Sequence, residues 1–240
     1  YTTTDGSMLN LVAGDLVGDA VVLSHTYGRI ILDRAVTSLN YNIFKIGSIN
    51  ALVNNLYNKV TSVTLPTSIT AIPDDAFNGL IALKNVPLRS TVKSIGKRAF
   101  KDCREFVVVD VPNSVTTIGA NAFEGCTKMT KITVGDNLTA IPQYAFSGCS
   151  ALKSITIPES VEAIGDGAFR YCIALTNVAV PNSVTTIGAS AFEGCCKMVS
   201  ITLPSSLTNI GDSAFENCIS LASISLPNGI IEIGEATFAN

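Results

Sequence analysis

The amino-acid sequence predicts an α/β repeat solenoid, a parallel β-sheet of about nine rungs backed by short helices and closed by an N-terminal cap. Three observations predict it. An Ala-Phe pair returns every 23 residues. Each interval holds one segment with strand alternation and one with helical spacing. The chain is 47% hydrophobic but only 15% charged, ample for a continuous core.

The period is read at Ala76-Phe77, Ala99-Phe100, Ala122-Phe123, Ala145-Phe146, Ala168-Phe169, Ala191-Phe192 and Ala214-Phe215, and Thr237-Phe238 completes it. A fixed period of this size marks stacked units, each unable to bury its apolar face alone. Inside the unit that starts at Phe146, residues Leu152 to Ile157 alternate, with Ile155 and Ile157 on one face and Thr156 on the other. Pro158, lacking an amide donor, ends the ladder there. Ile164, Ala168, Cys172 and Leu175 then follow at helical spacing.

That helix must be short. Two residues after the Phe stand Gly79, Asp102, Gly125, Gly148, Gly194 and Asn217, types that tolerate the left-handed C-cap. Its start is read at Gly96, Gly119, Gly165, Gly188, Gly211 and Gly234, where two other units carry Pro73 and Pro142. A position that accepts Pro does not require positive φ and suits the first helical residue. Asp74 and Asp75 would face the positive end of the helix dipole.

Counted by this template, the rungs centre on Ile30-Leu32, Val63-Leu65, Val86-Leu88, Val109-Val111, Ile132-Val134, Ile155-Ile157, Val178-Val180, Ile201-Leu203 and Ile224-Leu226. At ~4.8 Å per parallel strand the sheet would run roughly 38 Å. Strands are narrower than helices, so the sheet is expected on the concave side and the helices on the convex one. Residues 29–240 form the solenoid, with ten or so residues inserted before Phe77 as a longer helix near 43–57. Residues 1–28 do not fit the period and read as the cap, with Asp5-Gly6 suiting a hairpin turn and residues 20–23 a strand. At the other end Ile230, Ile233 and Phe238 would leave an apolar face, which is expected to meet a continuing array or another molecule.

The stretch Pro158-Glu-Ser-Val161-Glu-Ala-Ile164-Gly-Asp-Gly-Ala168-Phe169-Arg-Tyr-Cys172-Ile-Ala-Leu175-Thr-Asn-Val178 resembles the BspA-like leucine-rich repeats of surface proteins from anaerobic and oral bacteria, spirochaetes and trichomonads. The resemblance covers residues 29–240 and implies a right-handed leucine-rich-repeat horseshoe, a cell-surface or secreted location and adhesion to host or matrix proteins. It carries over no catalytic residues. Phe106 for Leu, Leu80 for Cys, and Gly135 and Arg89 for Pro depart from the pattern and touch local packing.

Chemistry of other kinds finds little footing. The net charge of -3 argues against nucleic acid as a partner, and no apolar run reaches the ~20 residues of a membrane span. Cys103, Cys126, Cys149, Cys172, Cys195 and Cys218 recur three residues after the Phe, with Cys196 extra. A metal ladder or disulfides were alternatives; one inward thiol per unit with no neighbouring His reads instead as core. His25 has no partners specifiable for catalysis, and Gly165-x-Gly167 belongs to a repeat turn. The sequence therefore predicts no enzyme, no cofactor and no metal.

A binding site is sought on the outward strand positions: Lys84, Asn85, Arg89, Asp110, Lys131, Thr133, Lys153, Thr156, Asn177 and Thr202. Small polar and β-branched residues there also serve strand pairing alone. A second candidate is the basic run Lys93, Lys97, Arg98, Lys101 and Arg104, which with Lys84 and Arg89 crowds seven of the chain's 16 basic residues into about one unit. It reads as a solvated face or as a patch for a sulfated glycan or an acidic partner. The expected function is a non-catalytic module that binds a protein or matrix or host glycoprotein, with a structural spacer as the alternative.

Overall fold

The computed structural model of the chain describes residues 60–65 and 67–240 in full, and the backbone of β1 (Leu16–Val17), β2 (Val22–Ser24), β3 (Arg29–Leu32) and β4 (Ser38–Leu39). The Asp5-Gly6 turn, His25 and the helix expected near 43–57 lie outside the described residues. β2 pairs antiparallel with β3, and β1 with β4.

Most 23-residue units contribute two strands, not one. The first belongs to the predicted face: β5 (Ser62–Thr64), β8 (Val108–Asp110), β10 (Lys131–Thr133), β12 (Ser154–Ile155), β14 (Asn177–Ala179) and β16 (Ser200–Thr202). In each, one side chain points inward and its neighbours outward, as a half-buried strand requires. Pairing is parallel and in step with the period: Ile132 lies opposite Val109 and Ile155, and Val178 opposite Ile201. β3 pairs with β5 through Ile30 and Val63, an offset of 33 that accommodates the ten extra residues of the first unit.

The second set consists of two-residue strands: β6 (Ala71–Ile72), β7 (Ser94–Ile95), β9 (Thr117–Ile118), β11 (Ala140–Ile141), β13 (Ala163–Ile164), β15 (Thr186–Ile187), β17 (Asn209–Ile210) and β18 (Glu232–Ile233). Their Ile residues register one above another. After each strand an amide carries the ladder on, as from Gly119 to the Ile95 carbonyl at 2.8 Å. Pro142 has no such amide, and the second ladder divides there into β6–β7–β9 and β11–β13–β15–β17–β18.

The predicted back helices are replaced by turns; among the described residues there is no helix. The reason is backbone handedness. Two positions per unit have positive φ: the residue before the Ala-Phe pair, as at Asp75, Asn121, Tyr144 and Ser190, and the residue two beyond the Phe, as at Gly79, Gly125, Gly148 and Tyr171. An α-helix cannot contain left-handed residues four apart. Instead, alternate amides of the turn point to the next unit: Asp75, Phe77 and Gly79 donate to the carbonyls of Lys97, Ala99 and Lys101, each at 2.8 Å. These bonds compensate for a strain of about 1–2 kcal/mol at a non-glycine left-handed residue. The glycine two residues beyond the Phe is thus left-handed as expected, though it caps no helix.

The Gly at the expected helix start has a different origin. Its φ is not positive, and a Cβ on Gly119 would lie 2.4 Å from the backbone nitrogen of Lys97 in the preceding unit. Glycine stands there because two backbones touch. Asp74 likewise serves no helix dipole: its carboxylate accepts the amide of Lys97.

The core is a set of columns running along the solenoid. Phe77 through Phe238 stack ring on ring with centroids 5.1–5.7 Å apart. Beside them, the six repeated cysteines are buried, and each thiol donates to the Phe carbonyl of the preceding unit at 3.2–3.3 Å. Burial pushes these thiols up, Cys218 to about 11, so they stay protonated and serve as packing and as donors. A serine column does the same on the other side, with Ser114, Ser160, Ser183 and Ser206 donating at 2.6–2.7 Å to carbonyls of the preceding unit. With stacked rings spaced little wider than strands (~4.8 Å), the contrast of helix and strand widths that predicted a concave sheet is gone.

Candidate functional site

The outward side chains of the first strand set form one exposed face. Its central column runs Pro87, Asp110, Thr133, Thr156, Ala179 and Thr202, all exposed, and Lys84, Asn85, Lys131, Lys153 and Asn177 stand exposed beside it. Alternation thus turns seven of the ten residues expected to bind (Asn85, Asp110, Lys131, Thr133, Thr156, Asn177 and Thr202) outward, and Lys84 and Lys153 stand exposed just before their rungs. Arg89 sits at its edge, its Nε bonded to the Leu65 carbonyl at 3.3 Å. Among the described residues Lys84, Lys131, Lys153 and Asp110 make no ion pair.

The basic run is arranged differently. Arg98 makes two 2.7 Å bonds to the carboxylate of Asp75, itself nearly buried. Lys101 pairs with Glu124 at 2.8 Å and Arg104 with Asp102 at 3.4 Å. Three of these five cations thus meet carboxylates, two of them on adjacent units, which the linear sequence did not reveal. Lys93 and Lys97 are exposed. The run winds along the back of the solenoid and does not join the strand face.

The strand face is interrupted between β5 and β8, as it is again between β12 and β14. Residues 86–88, expected as a strand, form none; a single bridge joins Asn85 to Ser62. Pro87 occupies the central strand position and cannot donate, and among the described residues no backbone hydrogen bond joins 85–88 to β8. β8 is the edge of its sheet. A hollow of about 270 Å³ opens in the gap, walled by Asn85, Pro87 and Leu88 on one side and by Phe106, Val108 and Asp110 on the other. Phe106, in place of Leu, leans its ring against Phe100 at 5.5 Å beneath the hollow. Val108, about half exposed, stands at its rim. Residues 224–226 also form no strand, and their side chains lack the burial that holds the other rungs.

Sequence reasoning singled out Asn85 and Asp110 but missed Pro87, Leu88, Phe106 and Val108 as a unit. The signal was present: a proline at a strand centre, with an oversized residue for Leu in the next unit. A second unpredicted cluster lies farther along. Glu193, nearly buried, accepts from Arg170 at 2.8 Å and from the Tyr171 hydroxyl at 3.0 Å, and the Arg170 guanidinium lies 4.7 Å from the centre of the Tyr171 ring. Burial raises the Glu193 pKa, but the bonds from Arg170, Ser190 and Tyr171 outweigh it and hold the carboxyl below its ordinary value. This is a structural knot between adjacent turns. Among the described residues no group of His, Cys, Asp or Glu is placed to hold a metal ion, and no helix is long and apolar enough to cross a membrane.

Comparison with known proteins supports this architecture. Residues 48–175 and 139–240 match the BspA type leucine rich repeat region, in six copies. A leucine-rich-repeat protein of Treponema pallidum is 28% identical, with 93% of this chain and 85% of that one covered at a TM-score of 0.59. A leucine-rich cell surface protein of Faecalibacterium prausnitzii shares the fold at 22% identity and TM-score 0.65, covering 98% and 87%. The pneumococcal vaccine antigen PcpA does so at 22% and 0.53, covering 73% of this chain and 47% of that one. No curated protein sequence matches the chain. With the repeat model covering most of its length and the solenoid seen directly, the chain belongs to the BspA-type leucine-rich-repeat family.

Proposed function

We propose that the chain is a non-catalytic protein-binding module of a cell-surface or secreted protein, and that it binds through the strand face. The observation that carries this reading is the charge arrangement on that face. Lys84, Lys131 and Lys153 are exposed without acidic partners, although the chain as a whole is negative. Leucine-rich-repeat proteins are typically binding scaffolds rather than enzymes, and the F. prausnitzii relative is a cell surface protein. Exposed lysines spread along the strand face favour electrostatic capture of an extended surface over a deep ligand pocket.

The experiment compares the wild type with Lys131→Glu/Lys153→Glu and with Lys97→Glu/Arg98→Glu for binding to immobilised matrix proteins and to heparin. Loss of protein binding in the first variant, with the second unaffected, supports the strand face. Loss only in the second, on heparin, supports a sulfated glycan as the partner. Absence of binding by every form leaves the spacer reading in its place. The pairing of Arg98, Lys101 and Arg104 with carboxylates weakens the glycan alternative, because each pair must be disrupted or shared to engage sulfate.

A further inference from the structure

The strand face is not uniform: its pairing is interrupted where residues 86–88 form no strand, between β12 and β14, and after β16. The hollow at the broken rung is lined by the apolar side chains of Pro87, Leu88 and Val108 over the buried Phe106, and by the polar groups of Asn85 and Asp110, its exposed lining being somewhat more polar than apolar. At about 270 Å³ it lies just below the ~300–1,000 Å³ of a small-molecule pocket and has room for a side chain. Beside it stand Lys84 on the same rung and Lys131 on the rung after β8, both unpaired among the described residues. Asp110 closes the opposite rim.

We propose that the broken rung is a docking notch for an extended, acidic segment of a partner protein, which seats one aliphatic side chain between Pro87 and Val108 and directs its carboxylates to Lys84 and Lys131. The proposal rests on the strand face being the binding surface and narrows it to one place and one partner chemistry. Three arguments support the extended, acidic character. β8 is an open strand edge, and an edge pairs readily with an extended backbone. In an intact rung the amide of Val63 points to the following unit, where it meets the Asn85 carbonyl at 3.2 Å. By the same alternation Val109 faces β10, while the backbone groups of Val108 and Asp110 face the notch. The two lysines lie on one flank, so carboxylates belong on that side of the anchor. On the other flank Asp110 repels a carboxylate and takes an amide or hydroxyl donor.

The geometry also separates binding from folding. Pro87→Thr/Phe106→Leu restores the residue types of neighbouring units, where Thr64, Thr133 and Thr156 occupy the proline position and Leu83 and Leu152 the phenylalanine position. The restored amide can reach the Val63 carbonyl on the side of the rung away from the notch, so the variant replaces the Pro87 and Phe106 surfaces of the notch and is expected to raise the melting temperature. If the notch were a packing fault without a role, the same variant would gain stability and bind as before.

The test is a selection from a phage-displayed random peptide library on the immobilised wild-type chain, followed by titration of the enriched peptides against variants. The expected result is enrichment of an aliphatic residue with Asp or Glu to one side. Titration should then show at least a tenfold affinity loss in Pro87→Thr/Phe106→Leu and in Val108→Glu, an exposed position that leaves folding intact. Basic or charge-neutral consensus peptides, or no enrichment, would overturn the proposal. So would unchanged affinity in both notch variants. In that last case, loss of the same peptides by Lys131→Glu/Lys153→Glu leaves the strand face as the binding surface and rejects only the notch. Retention by all variants rejects both.

Discussion

Gly119→Ala separates two physical accounts of one conserved-looking position within the repeat. If this glycine opened a helix, alanine would stabilise the chain by about 0.5–1 kcal/mol, since it loses less backbone entropy on folding. The structure predicts the opposite sign. A Cβ on Gly119 would stand 2.4 Å from the Lys97 nitrogen, 2.6 Å from the Gly96 carbonyl carbon and 2.7 Å from the Lys97 Cα. Carbon contacts are comfortable near 3.5–4.0 Å, and the atoms in the way are backbone. That turn is also fixed from the front by the Phe100 ring, stacked 5.3 Å from Phe123. Overpacking of this kind costs about 3 kcal/mol, the upper end of the usual range, or a melting temperature lower by roughly 6–12 °C for a chain of this size. The amide bond to the Ile95 carbonyl survives in alanine, so the measurement isolates the clash. Gly165→Ala, in the unit after Pro142, should cost less, because there the nearest atoms lie at 2.7, 3.0 and 3.0 Å. Thermal melts followed by far-UV circular dichroism on the three proteins provide the assay. A rise in melting temperature for Gly119→Ala, or a larger loss for Gly165→Ala, would refute the reasoning.

Other expectations follow from the same columns. Cys149→Ala removes the 3.2 Å thiol donor of the Phe123 carbonyl, which keeps only the Cys126 amide, and should cost about 0.5–1.5 kcal/mol in urea unfolding, whereas Cys149→Ser keeps a donor and should cost less. Thr91 takes the place of the column serines, and its hydroxyl is buried without a partner; Thr91→Ser should raise the denaturation midpoint, by about 1 kcal/mol if the 2.6–2.7 Å bond of its neighbours forms. Glu193 has a depressed folded-state pKa, so its contribution is complete above the unfolded carboxyl value, near 4.3, and is lost as pH falls through the folded value. Glu193→Gln should therefore lower stability at neutral pH and flatten the acid limb of the stability profile, a shape that unfolding midpoints taken across pH would reveal.

Much of the fold was written in the sequence because a solenoid repeats its own evidence. Eight Phe residues at one spacing specify a column, and strand alternation specifies which side chains face inward. The back of the unit was misread for a specific reason. Ile164, Ala168, Cys172 and Leu175 have helical spacing, yet that spacing also arises when a two-residue strand is followed by two tight turns. What decides between them is φ at Gly167 and Tyr171, and neither a tyrosine nor, at other units, a serine or arginine advertises a left-handed backbone. The inter-unit amide bonds that hold those residues there are long-range and leave no mark in a single unit. The candidate site was legible as a surface but not as a notch. Pro87 and Phe106 were each visible as departures, but their joint effect depends on their lying on neighbouring rungs. The charge of the basic run was overcounted for the same reason, because Asp75 and Glu124 stand 23 residues away in sequence and one rung away in space.

Hydrogen–deuterium exchange of the wild-type chain, with and without a library-selected acidic peptide, tests the central claim that the open edge beside Pro87 is where this solenoid receives its partner. Slower exchange confined to residues 84–88 and 107–110 is the predicted result, with the turns carrying Lys97 and Arg98 unchanged. Protection on those turns, with the strand edge unaffected, would contradict it.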